Sequence, residues 1–464
     1  MDLALPQSAA PDPPAASGQG AIRRELTEAV RLAVPVALVQ LGGMLMGVVD
    51  TMMLGHLSAG ALAAGAVGHV GSFTVLIFAA GLISVLDPLV SQAFGAGDDR
   101  AISAHLQRGI VLALALSLPF MALMWDTEPL FRAFGLTPDV TTGVAAYVHA
   151  ITWGVPAFLL YMTLRQTLQA MSVVRPALIA IVLGNICNVA ANYTLIFGHF
   201  GAPALGVAGS AYATTACRWV MFLYLLIAAR RRLAPYWHGF TRDAVDVGKY
   251  LRMLRLGLPL GLHQTIEIGL FALIAVLVGK MGVAQLAGHQ ISLNLASVSF
   301  MLPLGIAGAA ATRVGNAIGR ADMPGARRSA VVSLGLGAGV MLFFAGLFAA
   351  APRLLASLYS EDAAVIAMAA ALLPIAAAFQ VFDGLQVVAS GVLRGAADTT
   401  FPAVIALVGY WLVGLPLGWW MATSLGLGPR GLWWGMTIAL FVVALLLLWR
   451  VAARLRSPIA RVTG

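Results

Sequence analysis

Charged residues are scarce in this sequence. Asp, Glu, Lys and Arg make up 10% of the 464 residues, whereas soluble domains carry roughly 25%. The two cysteines, Cys187 and Cys217, both lie in apolar segments, so no disulfide framework is expected. The sequence also lacks the phosphate-binding motif G-x-x-x-x-G-K-[ST] and the zinc motif H-E-x-x-H. These absences argue against a soluble protein, a nucleotide-driven pump and a metalloenzyme, so we expect no enzyme activity.

Hydrophobic residues make up 60% of the sequence and are grouped in long runs. An α-helix needs about 20 apolar residues to cross the hydrocarbon core of a bilayer. We therefore predict an all-α polytopic membrane protein with twelve transmembrane helices. The twelve apolar stretches comprise residues 32–54, 63–90, 110–125, 144–161, 177–197, 207–228, 256–278, 286–309, 331–351, 364–389, 403–422 and 432–448.

Basic residues lie mainly on one side of the predicted helices. If both termini are cytoplasmic, only four of the 28 Lys and Arg residues fall in loops on the opposite side, namely Arg132, Lys280, Arg353 and Arg430. An excess of Lys and Arg in cytoplasmic loops is the positive-inside rule. It predicts a multi-pass plasma-membrane protein with both termini in the cytoplasm. It also accounts for the net charge of +9 without a nucleic-acid partner.

The two halves of the chain resemble each other at an offset of about 224 residues. LAVPVALVQ, which begins at Leu32, matches LGLPLGLHQ, which begins at Leu256, and Gly55 aligns with Gly279. Six spans per half is an even number, so both halves cross the bilayer in the same sense, with a pseudo-twofold axis along the membrane normal. We predict two pseudo-symmetric six-helix bundles with a cavity between them. The predicted regions are a disordered cytoplasmic tail (1–26), an N-terminal lobe (27–229), a cytoplasmic linker (230–252), a C-terminal lobe (253–450) and a second tail (451–464).

Acidic residues within the apolar stretches are the main functional signal. There are four of them, Asp50, Asp87, Glu267 and Asp383. A carboxylate at membrane depth is costly unless it is paired, hydrated or protonated. We therefore expect some of these groups to bind a cation or a proton. Asp87 is interpreted as structural, a partner for Arg218 or for loop arginines.

Asp50 lies in the first predicted span, and three polar residues of other spans are candidates to join it. Asn188 and Asn192 in the fifth span are spaced i, i+4 and share one helix face. Their oxygens and the hydroxyl of Thr214 would form a hard oxygen cluster with Asp50, suited to Na⁺ or to a proton relay. The alternative is that these side chains only join helices by hydrogen bonds.

Glu267 and Asp383 are the candidates in the C-terminal half. His263 and Gln264 share a helix face with Glu267, and Gln386 follows Asp383 by three residues. Burial and like charge both disfavour ionisation, so each acid is expected to hold a proton near neutral pH and release it when a cation arrives. A structural acid bonded to a backbone carbonyl is the alternative.

Other polar and soft side chains are open to two interpretations. The methionines and phenylalanines near these acids either line a flexible cavity or pack in the core. Packing is favoured for the polar residues of the eighth span. The first set comprises Met44, Met46, Met52, Met53, Phe379 and Phe382. The second set comprises His289, Gln290 and Asn294.

Several segments resemble the MATE (multidrug and toxic compound extrusion) family. They are MGVVDTMMLGHLSAGALAAGAVG, DPLVSQAFGAGD and LRGAADTTFP, together with RLGLPLGLHQTIEIGLFALIAVLVG, which resembles the NorM-like branch. The resemblance extends from about Thr27 to Arg450. It implies a monomeric antiporter of a bacterial inner membrane, with no cofactor, that confers drug resistance by exporting cationic amphipathic compounds in exchange for H⁺ or Na⁺.

The resemblance also implies roles for individual residues. Asp50, Asn188, Asn192 and Thr214 would form a cation site in the N-terminal lobe, with Na⁺ held by the first three. Glu267 and Asp383 would couple ion and drug in the C-terminal lobe. The substrate cavity would be lined by Met53, His263, Gln264, Phe379 and Gln386.

One departure from the family pattern concerns the coupling ion. NorM-like proteins that use Na⁺ tend to have a tyrosine where this chain has Phe379, and the missing hydroxyl favours proton coupling. A lipid-linked oligosaccharide flippase of similar architecture is the alternative function. Such a protein is expected to carry basic groups in its cavity, whereas here Arg218 is the one basic residue well inside a predicted span.

Overall fold

The computed structural model describes residues 19–133, 137–237 and 246–462, and in that part of the chain every regular element is a helix. Each of the twelve predicted stretches is largely helical, and the stretches 63–90 and 144–161 each cross a break between two helices. Eleven helical segments of the described chain are long and apolar enough to cross a bilayer, and a pair of helices bent by 49° supplies a twelfth span. The predicted all-α architecture with twelve spans is confirmed.

The N-terminal lobe contains the first six spans. Its helices are α1 (Gln19–Leu57), α2 (Ala59–Ile83), α3 (Leu86–Gly95), α4 (Asp99–Trp125), α5 (Glu128–Ala133), α6 (Pro138–Thr152), α7 (Val155–Ala170), α8 (Arg175–Phe197) and α9 (Gly206–Leu233). The fourth span is the bent pair, α6 and α7. The bend falls where Pro156 occupies the first turn of α7, a position that proline favours because no amide hydrogen bond is lost there.

The C-terminal lobe repeats this plan. Its helices are α10 (Val247–Gly279), α11 (Val283–Gly319), α12 (Met323–Ala350), α13 (Pro352–Ser357), α14 (Ala363–Gly395), α15 (Thr400–Ala406), α16 (Leu415–Thr423) and α17 (Pro429–Arg454). A π-helical segment, Leu407–Gly414, joins α15 to α16, so the eleventh span is one helix with a widened turn in its middle. Such π-helical turns occur frequently at functional sites.

Matching local structures confirm the internal repeat. Asp98 accepts a hydrogen bond of 3.0 Å from the first turn of α4, and Asp322 accepts one of 2.8 Å from the first turn of α12. These two helix caps lie 224 residues apart. Pro35 within α1 and Pro259 within α10 have the same offset, as do the first residues of the short helices α5 and α13.

The two lobes meet along α1 and α11, and along α2 and α10. A Cβ atom on Gly81 would lie 2.3 Å from the Cα atom of Gly261, so the backbones of α2 and α10 touch at this crossing. Gly305 of α11 has a similar approach to Ala37 of α1, at 2.6 Å. Small residues permit such close helix packing in lipid, where dispersion and hydrogen bonds must hold helices together.

Three ion pairs join the lobes at the end of the molecule where α1 begins and α17 ends, which we call the terminal end. In each pair the N-terminal lobe supplies the acid, and the C-terminal lobe or the tail that follows it supplies the arginine. The pairs are Glu25–Arg313 (2.5 Å), Asp87–Arg394 (3.2 Å) and Asp98–Arg461 (2.8 Å). Gln92 of α3 also donates a hydrogen bond of 2.9 Å to the carbonyl oxygen of Gly395. The lobes are therefore closed against each other at the terminal end.

The Asp87–Arg394 pair resolves the role predicted for Asp87. The sequence left Arg218 or a loop arginine as its partner, and the structure selects Arg394, at the end of α14. Asp87 therefore belongs to the contact between the lobes.

Glu25 makes the most extensive of these contacts. Its carboxylate accepts bonds of 2.5 and 2.7 Å from the guanidinium of Arg313 and one of 2.6 Å from the hydroxyl of Ser329. Removing one partner of a buried pair costs about 3–5 kcal/mol, because the remaining charge is uncompensated. We expect Arg313→Met to lower the free energy of unfolding by about 3 kcal/mol, measured as a loss of thermal stability of the purified protein in detergent.

The matched control for this prediction is the double variant Glu25→Gln/Arg313→Met. It removes both charges together, so we expect it to recover most of the lost stability. Equal melting temperatures of the single variant and the wild type would show that the pair does not hold the lobes together.

The C-terminal segment crosses from its own lobe to the other. Arg327 donates bonds of 2.7 Å to the carbonyl oxygens of Leu455 and Arg456, and the amide of Val462 donates to Gln92 at 2.8 Å. The Ala101 amide holds the pKa of Asp98 below its usual value, and the bond from Arg461 contributes to this although partial burial opposes it. Asp98 is therefore ionised at neutral pH, and its pair with Arg461 persists there.

Helix ends differ from the predicted boundaries of the tails and linker. Residues 19–26 begin α1, so their prediction as disordered is wrong, and the buried pair at Glu25 explains why this turn is helical. The helix α9 continues to Leu233 and α10 begins at Val247. The linker prediction for 238–245, which includes Arg242, and the tail prediction for 1–18 lie outside the described residues.

Candidate functional sites in the two lobes

Asp50 is surrounded by the three side chains that the sequence predicted. Asn188 and Asn192 of α8 donate hydrogen bonds of 2.8 and 2.6 Å from Nδ2 to the same carboxylate oxygen, Oδ1. Thr214 of α9 donates one of 2.8 Å to the other oxygen, Oδ2. Asp50 is only 6% exposed. Helices α1, α8 and α9 thus bring the four predicted residues into one cluster, here called the Asp50 site.

The orientation of the two amides determines what this site can bind in the present state. Their nitrogens face Asp50, while the Oδ1 atoms of Asn188 and Asn192 are buried and accept no hydrogen bond from the described residues. All three side chains that contact the carboxylate of Asp50 therefore act as donors. A Na⁺ ion would require both amides to rotate so that oxygen replaces nitrogen, because Na⁺ binds oxygen ligands. Na⁺ at this site remains a prediction.

Arg218 belongs to the surroundings of the Asp50 site, which the sequence analysis missed. It lies one helical turn after Thr214 on α9, and it interacts electrostatically with Asp50 and with Tyr147 of α6. His69 of α2 also interacts with Asp50. The i, i+4 spacing of Thr214 and Arg218 was the available signal, because residues at this spacing share a helix face.

Glu267 and Asp383 lie close enough in the C-terminal lobe to interact electrostatically. Asp383 is 5% exposed and Glu267 is half-buried. Neither carboxylate makes a hydrogen bond or an ion pair with a described residue. Within the described residues, neither acid is therefore bonded to a backbone carbonyl, as the structural alternative required. The two acids, Glu267 on α10 and Asp383 on α14, are here called the acid pair.

Tyr410 is a further polar group at the acid pair that the sequence analysis missed. It interacts electrostatically with both Glu267 and Asp383. Its hydroxyl is buried and has no hydrogen-bond partner among the described residues. Tyr410 lies on the π-helical segment of the eleventh span. No spacing or motif in the sequence distinguishes it from other aromatic residues in apolar stretches.

The residues predicted to line the cavity have different positions in the structure. His263 lies with its Nε2 atom 3.5 Å from Nε2 of Gln386, and Gln264 and Met53 are half-buried. Phe379 is 2% exposed, and its ring packs on those of Phe271 and Trp433. In this conformation Phe379 is thus part of the lobe's core.

Helix joining by His289 and core packing of Met46 and Phe382 both agree with the structure. His289 accepts a hydrogen bond of 3.1 Å from the indole of Trp433, as expected for a residue that joins helices. Met46 is buried in the core of the N-terminal lobe, and Phe382 packs on Phe441 with ring centroids 5.0 Å apart. Within the described residues, no group of three or more His, Cys, Asp or Glu side chains is arranged to hold a metal ion.

Comparison with known families agrees with this arrangement of lobes and sites. A model of the MatE family matches residues 35–194 and 259–420, one stretch in each lobe. The chain belongs to the MatE family. The resemblance of its motifs is thereby confirmed. A MatE protein is a membrane transporter and not an enzyme.

Curated relatives of this MatE-family chain share about a third of its residues. It is 34% identical over 442 residues to the multidrug resistance protein MdtK of Edwardsiella ictaluri, covering 94% of this chain and 97% of the relative. It is 36% identical over 448 residues to MdtK of Yersinia pseudotuberculosis, with the same coverage. The relatives are therefore similar over nearly their whole length.

Solved structures show the same fold at lower identity. The eukaryotic MATE transporter AtDTX14 superposes with a TM-score of 0.86 at 21% identity, covering 94% of this chain and 98% of that one. An outward-facing MATE transporter of the MOP superfamily superposes with a TM-score of 0.82 at 19% identity, covering 96% and 100%. The two-lobe MATE fold of this chain is thus confirmed.

Proposed function

We propose that this MatE-family chain exports cationic, amphipathic compounds across a bacterial inner membrane in exchange for protons. The observation that carries the proposal is the acid pair, Glu267 and Asp383, which has no basic partner among the described residues. Two neighbouring carboxylates in a low-dielectric lobe bind protons, and an organic cation relieves the same electrostatic cost. Proton and cation therefore compete for one site, which is what exchange requires.

The names of the relatives support the class of substrate. The curated relatives from Edwardsiella ictaluri and Yersinia pseudotuberculosis are multidrug resistance proteins of bacteria. The flippase alternative is not favoured by these relatives, and the acid pair provides negative charge where a lipid pyrophosphate needs positive charge. We expect the transporter to act as a monomer with small molecules and lipid as its partners.

The positions of the lobes suggest which state this structure represents. The three ion pairs close the terminal end, and the basic loops favour placing that end in the cytoplasm. The state is then closed to the cytoplasm and outward-facing. Export requires that proton and substrate bind this state and the inward-facing state with different affinities, because equal affinities shift no equilibrium.

The coupling ion can be tested with purified protein in liposomes loaded with a cationic dye. We expect a proton gradient imposed without Na⁺ to drive dye movement, and we expect a protonophore to stop it. A Na⁺ gradient at matched pH is the comparison. Dye movement driven only by the Na⁺ gradient would show that Na⁺ is the coupling ion, with Asp50, Asn188 and Asn192 as its ligands. No movement under either gradient, with folded protein in the liposomes, would contradict dye export itself.

A further inference from the structure

We propose that an anionic phospholipid binds in an exposed apolar groove between α1 of the N-terminal lobe and α11 and α12 of the C-terminal lobe. Its acyl chain lies along α12, and its phosphate contacts basic side chains at the terminal end. We call this feature the α12 groove. The inference goes beyond the proposed function, because the lipid is neither the exported compound nor the exchanged ion.

The α12 groove has a volume of about 720 Å³, and apolar side chains and glycines line it. Ile22 and Leu26 of α1 form one wall, and Leu302 of α11 contributes to the lining. One side of α12 between residues 331 and 344 forms the rest. A concave apolar surface holds an acyl chain more firmly than a flat one, because the chain gains dispersion contacts on several sides.

Two glycines of α12 form part of the floor of the α12 groove. Gly335 and Gly339 are exposed and lie one turn apart, and a Cβ atom on either would meet no side chain and no neighbouring helix within 4 Å. Gly337 differs from them, because its Cβ atom would lie 2.8 Å from the side chain of Val388 on α14. Glycine is less favourable than alanine within a helix, and no described contact requires it at the two exposed positions. The open floor that they leave is available to an acyl chain.

The length of the α12 groove matches one leaflet of a bilayer. Phe343 follows Val331 by 12 residues, and at 1.5 Å per residue this part of α12 is about 18 Å long. The hydrocarbon core is about 30 Å thick, so one leaflet contributes about 15 Å. Val331 also begins the predicted apolar stretch of residues 331–351. The groove therefore extends from the edge of the hydrocarbon core to about its middle.

Two arginines lie at the terminal end of the α12 groove. Arg328 of α12 lies one turn before Val331, and Arg23 of α1 lies one turn before Leu26. Arg23 is exposed and Arg328 is half-buried, and neither side chain makes a hydrogen bond or an ion pair with a described residue. Basic groups beside a pocket between spanning helices bind the phosphate headgroups of anionic lipids. The two arginines are therefore placed to receive the headgroup of a lipid whose chain fills the groove.

The acids near these arginines leave the positive charge in excess. Glu25 interacts electrostatically with Arg328, but its carboxylate accepts bonds from Arg313 and Ser329. Glu28 lies on another face of α1 than the two residues that line the groove. The terminal end of the groove therefore attracts a phosphate and repels the cationic compounds whose export is proposed above.

The α12 groove also crosses the boundary between the lobes. Its wall on α1, formed by Ile22 and Leu26, belongs to the same helical turns as Glu25, whose bonds to Arg313 and Ser329 close the terminal end. A lipid in the groove therefore contacts both lobes beside this pair. Separation of the lobes at the terminal end would move α1 away from α12 and remove one wall, so the lipid stabilises the closed state.

Native mass spectrometry of the full-length protein in detergent measures lipid binding without transport. Phosphatidylglycerol is the anionic probe, and phosphatidylethanolamine with the same acyl chains is the probe without net charge. We expect one phosphatidylglycerol to bind at least about fivefold more tightly than phosphatidylethanolamine, because one basic side chain near an anionic headgroup contributes about that factor. Arg328→Gln should weaken phosphatidylglycerol binding about fivefold. Arg430→Gln, which removes an exposed arginine at the opposite end of the molecule, is the matched control and should leave the preference unchanged.

Gly339→Leu tests the part of the site that holds the acyl chain. The new side chain enters the groove, and leucine is more favourable than glycine in a helix, so we expect the protein to fold. The variant should bind phosphatidylglycerol at least about tenfold more weakly, because two or more CH₂ groups lose their burial. Gly346→Leu is the matched control and should bind lipid as the wild type does. A Cβ atom there also meets nothing within 4 Å, but Gly346 does not line the groove.

The melting temperature in detergent is a second measurement that needs no transport. Added phosphatidylglycerol should raise it for the wild type but not for Gly339→Leu, because a ligand stabilises the state that it binds. Equal affinity for the two lipids, or unchanged phosphatidylglycerol binding by Gly339→Leu, would overturn the inference. A dimer or a bound cationic dye that Gly339→Leu alone removes would also overturn it, because the groove would then hold a second copy of the chain or a substrate.

Discussion

Asp50→Asn is expected to reduce dye export to the level of protein-free liposomes while folded protein remains in the membrane. Asparagine has nearly the same shape as aspartate but cannot take up or release a proton. Its oxygen can accept the bonds of Asn188 and Asn192, and the hydroxyl of Thr214 can rotate to accept from its amide. The local geometry of the Asp50 site is therefore retained, and only the charge is lost.

Dye efflux driven by a proton gradient is the measurement for this variant, with size-exclusion chromatography to show that the protein is folded. Asp139→Asn, which changes an exposed carboxylate in the first turn of α6, is the matched control and should export as the wild type does. Export at the wild-type rate by Asp50→Asn would show that the Asp50 site only joins α1, α8 and α9.

Glu267→Gln and Asp383→Asn are each expected to abolish exchange. The acid pair needs both carboxylates, because the repulsion between two ionised carboxylates favours uptake of a proton, and an organic cation can replace that proton by relieving the same repulsion. With one acid replaced by an amide, the other loses its charged neighbour. We therefore expect dye binding that releases no proton, and dye export at the background level.

Proton release can be measured directly when a cationic dye is added to purified protein in weakly buffered detergent. The wild type should acidify the solution, whereas either single variant should release roughly a tenth as much or less, because a shift of one unit in pKa changes the ratio of protonated to ionised carboxyl about tenfold. Glu361→Gln, at an exposed position before α14, is the matched control. Proton release at the wild-type level by both variants would place the coupling step elsewhere.

The spans, the repeat and the acids could all be predicted from the sequence. Apolar runs are local features of the sequence, and the length needed to cross a bilayer is about the same for every helix. The twelve stretches could therefore be predicted from the distribution of apolar residues along the chain. The repeat was visible because both lobes have the same turns and caps, as at Asp98 and Asp322. The cluster of Asp50 with Asn188, Asn192 and Thr214 was predicted from helix spacing and from the resemblance to a family.

Only the tertiary structure determined which charges meet. Asp87 pairs with Arg394, about 300 residues away, and Arg218 lies near Asp50 instead. The sequence showed that these charges lie within spans but contained no signal for their partners, because partner choice depends on how helices rotate and on which lobe surfaces touch. The same reason applies to Tyr410 at the acid pair and to Arg461 on Asp98. Hydrophobicity along the chain determines how many helices form, whereas packing between them determines which carboxylates are left free to exchange a proton.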